Sequence, residues 1–233
     1  MNFYKIKSHA KLNLALNVTG KLRKLHKIES IVSFIDLHDL IFLRTRKKKN
    51  HKILFYGKFS KNIDKNNTIF KLLTILDKKK LLNNKKFEIK IKKNIPKEAG
   101  LGGGSMNAAS LLTYFIKKKI IKLKKDKDIL AITKLIGSDV ILGVKPQNTI
   151  LSSSSNISKF TLKNKIYVLL VKPNFGCSTK HIYSKIKNFS KSQFNHPKRS
   201  MFKPTYLKDL KKDLEKITFL KYPRLKKIKF FLE

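Results

Sequence analysis

The chain has 233 residues, of which 41% are apolar, enough to bury a core in one large domain or two smaller lobes. It contains a single cysteine, Cys177, which excludes an internal disulfide and is typical of a reducing compartment. No apolar run reaches the roughly 18 residues of a membrane span, and residues 1–11 lack the continuous apolar stretch of a signal peptide. We therefore expect a soluble, cytoplasmic protein.

The formal net charge is +41, because 55 Lys and Arg residues face only 14 Asp and Glu residues. A field of this size attracts nucleic acid non-specifically. The lysines are spread over every segment, however, and no recognised nucleic-acid module accompanies them. We attribute the charge to compositional drift and expect it to favour anionic substrates such as nucleotides. We expect a monomer or a weak homodimer.

The N-terminal half alternates strand and helix patterns. Residues 3–19 predict two short strands, and residues 28–43 predict strand segments that acidic residues such as Asp39 interrupt. A further strand is expected at residues 53–56. Residues 66–81 predict a helix whose buried face is formed by Ile69, Leu72, Leu73 and Leu76.

A strand, a glycine-rich loop and a helix follow one another in the next segment. Residues 87–91 alternate as a half-buried strand, which Pro96 ends. Residues 100–104 form the loop, and residues 105–121 predict a helix with Ser105 or a near neighbour as its N-cap.

The C-terminal half predicts fewer strands. The composition changes at residues 152–155, so we expect a boundary there between an N-terminal lobe, residues 1–155, and a C-terminal lobe, residues 156–233. Interleaved strands and helices without β-α-β regularity indicate an α+β fold. The other expected elements are helices at 127–136, 178–187, 209–219 and 223–232, a buried strand at 165–172 and a mobile loop at 188–203.

The glycine-rich loop is the strongest indication of chemistry. Glycines let the backbone approach a phosphate, and the helix that follows adds unpaired N–H groups and its positive dipole end. No lysine lies at residues 100–105, which excludes a Walker A loop, and Ser105 replaces the third glycine of a Rossmann motif. The alternative is a glycine turn without a ligand.

The segment P-K-E-A-G-L-G-G-G-S-M-N-A-A, residues 96–109, resembles the ATP-binding motif of the GHMP kinases. Its triple glycine and S-x-N-A-A ending resemble the diphosphocytidyl-methylerythritol kinases in particular. The opening A-K-L-N-L at residues 10–14 and the G-S-D-V at residues 137–140 are similar to that family in the same order. The likeness continues through Phe34 to Asp39, Pro173 and residues 178–183.

This resemblance implies a two-lobed GHMP kinase fold, with a ribosomal-protein-S5-like N-terminal lobe and an incomplete ferredoxin-like C-terminal lobe. It implies transfer of the γ-phosphoryl group of ATP, with Mg²⁺, to the 2-hydroxyl of 4-diphosphocytidyl-2-C-methyl-D-erythritol in non-mevalonate isoprenoid synthesis. The remaining alternatives are a GHMP kinase for another small alcohol, an inactive truncated remnant and a basic nucleic-acid-binding protein.

The resemblance also implies roles for individual residues. Asp139 would be the catalytic carboxylate, and Lys11 its partner near the transferred group; by itself, an Asp beside Gly and Ser is more often a helix-start cap. Asn13 and His26 would bind substrate, with Tyr183 stacking on cytosine. The residues implied to bind ATP are Asn67, Pro96, Gly100, Leu101, Gly102, Gly103, Gly104, Ser105 and Asn107.

Four departures from the family pattern are visible. Leu25 stands where the family has a second stacking tyrosine, and Ile141 replaces a proline after G-S-D-V. Serines at 152–155 replace a glycine-rich stretch. The last glycine is Gly176, so the family's third motif, a Gly-Ser-Gly loop, is not in this sequence, and we expect exposed apolar surface in the C-terminal lobe.

Overall fold

A computed structural model describes residues 2–22, 25–123, 125–162, 166–210 and 213–232. Strands and helices are interleaved within these residues, which confirms the predicted α+β class. The strands are β1 Tyr4–Leu22, β2 Leu25–Arg46, β3 Lys52–Tyr56, β4 Lys86–Lys92, β5 Asn148–Leu151 and β6 Ile157–Phe160. The helices are α1 Thr68–Lys78, α2 Gly103–Lys117, α3 Asp126–Ile136, α4 Val140–Val144, α5 Thr179–Ser184, α6 Pro204–Leu207, α7 Asp213–Lys221 and α8 Pro223–Leu232, with a 3₁₀ helix at Arg199–Phe202.

The first two strands are longer than the sequence predicts. β1 runs without interruption over 19 residues, and β2 over 22, so the prediction of several short strands was wrong. Asp39 does not break β2, because its buried carboxylate accepts hydrogen bonds from two other segments of the chain, at residues 94–95 and at Asn107. A satisfied polar group can lie inside a strand.

The chain folds into two compact units, each built from separate stretches of sequence. Unit 1 comprises residues 1–11, 34–97 and 101–146, and unit 2 comprises residues 12–33, 98–100 and 147–233. β1 and β2 pair with each other, and each contributes residues to both units. The division into lobes at residue 155 stays a prediction; residues 152–155 connect β5 to β6 within unit 2.

Unit 1 contains a sheet covered by helices. β4 pairs antiparallel with β2, from Leu40 opposite Lys92 to Arg46 opposite Lys86, and β3 runs parallel to β4. The predicted apolar face of α1 is buried against this sheet, which confirms that helix. The core also contains Ile41, Leu43, Phe87, Ile89, Ile91, Leu111, Leu112, Phe115 and Ile136.

Unit 2 has a smaller core around β5 and β6. β5 pairs antiparallel with residues 30–32 of β2 and with β6. The segment predicted as a mobile loop, residues 188–203, is anchored to this core. Phe194 is fully buried, and the backbone N–H groups of Gln193 and Phe194 donate to the buried Glu29 carboxylate at 2.8 and 3.1 Å.

The predicted strand at residues 165–172 is not formed over its described part, residues 166–172. Residues 166–173 adopt no regular structure, and Tyr167 and Leu169 are 91% and 79% exposed. The apolar run predicts burial, but no described strand pairs with it, and its residues are exposed.

Several predicted helix boundaries change. α3 and α8 confirm the predicted helices there, and α3 ends before Gly137 as expected. α5 ends at Ser184 rather than residue 187, and α7 begins at Asp213, where part of the predicted start falls outside the described residues. Among the helices of the described ranges, none has the length and apolar character needed to cross a bilayer.

A partly buried histidine contributes to the fold of unit 1. His51 Nδ1 accepts a hydrogen bond from the Phe87 N–H at 3.0 Å, and Nε2 lies 3.1 Å from Asp77 Oδ2. This pattern requires a neutral ring with its proton on Nε2. Burial lowers the pKa of His51 below its ordinary value of 6.5, with the Lys86 ammonium acting in the same direction and Asp77 opposing it.

We expect His51 to make folding stability depend on pH. The unfolded ring binds a proton near pH 6.5, whereas the folded ring does so only at lower pH, so stability is lost as pH falls through this window. In urea unfolding between about pH 7 and pH 5, His51→Asn should flatten the decline in unfolding free energy. The same substitution of exposed His196 is the control; equal slopes for His51→Asn and the parent would contradict the assignment.

Candidate active site

The glycine-rich loop leads directly into α2. Gly102 is the N-cap with a φ of 65°, in the left-handed region that glycine tolerates best. Its carbonyl accepts the first helical hydrogen bond from Met106 N at 2.9 Å. α2 therefore begins at Gly103. The sequence predicted Ser105 or a near neighbour as the N-cap, but Ser105 itself lies inside the first turn, because the preceding glycines are helical. The first N–H groups of α2 have no partners within the helix and can bind an anion.

At Gly102 and Gly103 the loop backbone lies too close to neighbouring side chains for a Cβ to fit without displacing them. A Cβ on Gly102 would lie 2.8 Å from Lys11 Cγ. One on Gly103 would lie 3.0 Å from Ile95 Cγ2 and 3.3 Å from Lys93 Nζ. Lys11 also donates its backbone N–H to Leu101 O at 3.1 Å. Two lysine side chains therefore flank the start of α2.

The start of α1 is tied to the same loop. Thr68 Oγ1 donates to Gly104 O at 2.6 Å, a contact that the sequence did not indicate. Asn67 is the N-cap of α1: its Oδ1 accepts from Ile69 N and Phe70 N, both at 3.1 Å. The amide of Asn67 thus orders the helix start beside the loop, and its role toward ATP stays a prediction.

Lys11 and Asp139 form an ion pair next to this loop. Lys11 Nζ lies 3.1 Å from Asp139 Oδ2, with side chains 7% and 30% exposed. Asp139 occupies the N-cap position of α4, but its side chain makes no capping hydrogen bond. The carboxylate is therefore engaged with Lys11 and accessible to solvent, which is not the arrangement of a simple helix cap.

Small residues bring Asp139 close to the start of α2. A Cβ on Gly143 would lie 2.7 Å from Ala109 Cβ and 2.8 Å from Met106 Sδ, so α4 packs directly on α2. A Cβ on Gly137 would lie 3.9 Å from Ser105 Oγ. The structure thus brings Lys11, Asp139 and the glycine loop together in unit 1: a cation, an accessible carboxylate and a helix N-terminus. This combination suits transfer of a phosphoryl group.

The predicted substrate residues lie in unit 2. The rings of His26 and Tyr183 are neighbours, with centroids 5.3 Å apart and planes at 45°. Asn13 Oδ1 accepts a hydrogen bond from Ser30 Oγ at 3.3 Å. Arg23, Lys24 and the side chain of Leu25 lie outside the described residues. The roles of these residues toward a substrate stay predictions.

The remaining residues predicted to bind ATP differ in their surroundings. Gly100 is exposed with a φ of 72°, Leu101 is buried, and Pro96 is partly buried. Asn107 is 2% exposed and donates to Asp39 Oδ2 at 2.9 Å, so it faces the interior. Sequence reasoning missed Asp39 and Lys93 as neighbours of the loop. The available signals were an acid within an apolar strand, the family likeness of Phe34 to Asp39 and a lysine just before the loop.

Known proteins resemble this chain in sequence and fold. The family described as GHMP kinases N terminal domain matches residues 67–156. A 4-diphosphocytidyl-2-C-methyl-D-erythritol kinase from Pelagibacter ubique is 63% identical over 232 residues, which cover 100% of this chain and 82% of that protein. This chain belongs to the 4-diphosphocytidyl-2-C-methyl-D-erythritol kinase family.

Two further comparisons agree with the family. A member from Fusobacterium nucleatum is 32% identical over 197 residues, covering 83% of this chain and 67% of that protein. The crystal structure of a 4-(cytidine 5'-diphospho)-2C-methyl-D-erythritol kinase superposes with a TM-score of 0.70 at 18% identity, over 97% of this chain and 81% of that one. The GHMP kinase fold is thereby confirmed, and the chain is an ATP-dependent kinase of this family.

We expect Gly102 to be more sensitive to substitution than Gly100. Both have positive φ, but a Cβ on Gly100 meets nothing within 4 Å, whereas one on Gly102 overlaps Lys11. Gly100→Ala should destabilise the protein by about 1 kcal/mol through backbone strain. Gly102→Ala should cost about 2 to 4 kcal/mol because steric overlap is added. Urea unfolding measures both; equal losses would show that Lys11 moves aside freely.

Proposed function

We propose that this kinase transfers the γ-phosphoryl group of ATP to the 2-hydroxyl of 4-diphosphocytidyl-2-C-methyl-D-erythritol. The observation that carries the proposal is the Lys11–Asp139 pair beside the N-terminus of α2. The acceptor follows from the relatives, since the Pelagibacter ubique protein carries this substrate in its name at 63% identity. That identity does not favour another small alcohol or an inactive remnant.

The chemistry assigned to the pair is in-line transfer, in which positioning and electrostatic stabilisation provide most of the catalysis. Asp139 orients the acceptor hydroxyl and takes its proton at a carboxylate oxygen. Lys11, 3.1 Å from that carboxylate, supplies positive charge for the oxygens of the moving phosphoryl group. The first N–H groups of α2 and the glycine loop bind the phosphates of ATP.

Mg²⁺ fits this site as a cation held mainly by the nucleotide. Magnesium prefers oxygen ligands and commonly uses one or two carboxylates together with phosphates and water. The residue of this chain that would contribute is Ser105, through its hydroxyl. In the described ranges, no group of three His, Cys, Asp or Glu side chains could hold a metal ion without the nucleotide. When bound, the ion would neutralise part of the phosphate charge.

The cytidine end of the substrate is assigned to an aromatic pair. Tyr183, whose ring lies beside His26, provides a face on which cytosine can stack, and Asn13 is assigned to the methylerythritol end. Because Leu25 replaces the second tyrosine of the family, one stacking contact is lost. Such a contact is worth about 1 to 3 kcal/mol in single-stranded nucleic-acid complexes.

We also propose an oligomeric state, a compartment and a mode of nucleic-acid binding for the enzyme. We propose a monomer or weak homodimer in the cytoplasm, whose basic surface binds nucleic acid only non-specifically. The even spread of 55 Lys and Arg residues supports this, because a dedicated nucleic-acid surface concentrates its charge on one face.

The proposed reaction is tested by ADP release from the 233-residue protein with Mg-ATP. We expect release to depend on 4-diphosphocytidyl-2-C-methyl-D-erythritol, with mevalonate and homoserine as control alcohols. Release with a control alcohol alone would refute the assigned acceptor, and no release with any of the three would refute the proposed reaction.

Substitution of the proposed catalytic carboxylate separates chemistry from nucleotide binding. Asp139→Asn should lower kcat by about 10³-fold, because the general base and the partner of Lys11 are lost. The Kd for Mg-ATP, measured by titration calorimetry, should change less than about threefold, because the loop holds the phosphates. Asp126→Asn, at an exposed carboxylate at the start of α3, is the matched control. Turnover of Asp139→Asn at the parent rate would show that Asp139 is not catalytic.

A further inference from the structure

A second lysine–aspartate pair lies behind the glycine loop and is completely buried. Asp39, in β2, has a side chain that is 0% exposed and pairs with Lys93, whose side chain is 6% exposed. Burying two charges is costly, and an apolar pair of similar volume would often hold two strands together as well. Holding β2 against β4 would therefore not require this charged pair.

Asp39 connects the two ends of the loop. Its Oδ1 accepts the backbone N–H groups of Asn94 and Ile95 at 2.7 and 2.8 Å, just before the loop. Its Oδ2 accepts from Asn107 Nδ2 at 2.9 Å, in the second turn of α2 just after the loop. One carboxylate thus fixes the backbone where residues 96–106 leave β4 and where they enter α2.

Lys93 is held at the start of α2 by the same carboxylate. Its ammonium lies 3.3 Å from the point that a Cβ on Gly103 would occupy, and Gly103 is the first residue of the helix. A cation beside the positive end of a helix dipole is unfavourable unless an anion is near. Asp39 supplies that anion in the free protein, and the phosphates of a bound nucleotide would supply a second one at the loop.

An ion pair between β2 and β4 shows the contrast. Arg44 of β2 and Glu88 of β4 approach to 2.6 Å, but the Arg44 side chain is 39% exposed, as is usual for an ion pair of this kind. Neither residue lies near the loop. The buried pair differs in two ways. It lies next to Gly103, and both carboxylate oxygens of Asp39 accept hydrogen bonds from segments that flank the loop.

We infer that Asp39 and Lys93 are positioning residues for the nucleotide phosphates. Asp39 fixes the geometry of the loop. It also holds the positive charge of Lys93 beside Gly103, the first residue of α2. The cation acts through the loop and adds to the attraction of the helix N-terminus for the triphosphate. This inference rests on the proposed function, in which that loop binds the phosphates of ATP.

The test removes both charges together. Asp39→Asn alone leaves a buried unpaired ammonium and should destabilise the protein strongly. In Asp39→Asn/Lys93→Met, no charge is left unpaired, so the thermal unfolding midpoint should recover most of this loss. We expect the KM and Kd for Mg-ATP to stay raised by about tenfold or more, because the fixed charge is gone. The KM for the acceptor and kcat should change less than about threefold.

The matched control is Arg44→Met/Glu88→Gln, which removes an ion pair between β2 and β4 without touching the loop. It should leave the Kd for Mg-ATP at the parent value. Lys93→Gln, which keeps a hydrogen bond to Asp39 but removes the charge, repeats the test if the double variant does not fold.

The outcomes separate the inference from the proposed function. Recovery of both stability and Mg-ATP affinity in the double variant, or unchanged affinity in Lys93→Gln, would overturn the inference and show a purely structural pair. Absence of Mg-ATP binding and turnover in the parent protein would instead overturn the proposed function. Raised Kd with recovered stability, and an unaffected control, supports both.

Discussion

The close packing of neighbouring side chains against the backbone of Gly102 and Gly103 is the constraint on which the rest of the site depends. Lys11 and Lys93 can approach this backbone only because it carries no side chains. That proximity places one cation at the Lys11–Asp139 pair and the other behind the first turn of α2. The glycines are therefore needed both for the conformation of the loop and for the close approach of the two lysine side chains.

Local sequence patterns predicted the parts of the fold that depend on local interactions. The apolar face of α1, the helix α3, the glycine loop and the pairing of Lys11 with Asp139 follow from periodicity or from short motifs. The motif also placed Ser105 at the helix start, but the backbone freedom of the preceding glycines moved that start two residues earlier.

The features that the sequence did not predict depend on partners far along the chain. Asp39 indicated a strand break, yet groups 55 to 68 residues away satisfy its carboxylate, and no local pattern encodes them. Glu29 likewise anchors Phe194, 165 residues away, in a segment whose polar composition indicated mobility. The error at residues 166–171 has the opposite origin, because the apolar pattern assumes a partner strand that the described residues do not provide.

Residues 166–171, I-Y-V-L-L-V, have a consequence for the behaviour of the protein in solution. This uncharged, strongly β-prone hexapeptide is exposed, which is the composition of a segment that stacks between molecules into cross-β aggregates. Repulsion between molecules that each carry a net charge of +41 opposes such stacking. Because the Debye length shrinks from about 30 Å at 0.01 M to about 3 Å at 1 M salt, colloidal stability should depend on low ionic strength. The excess of lysine thus favours solubility of a protein whose exposed apolar segment would otherwise promote aggregation.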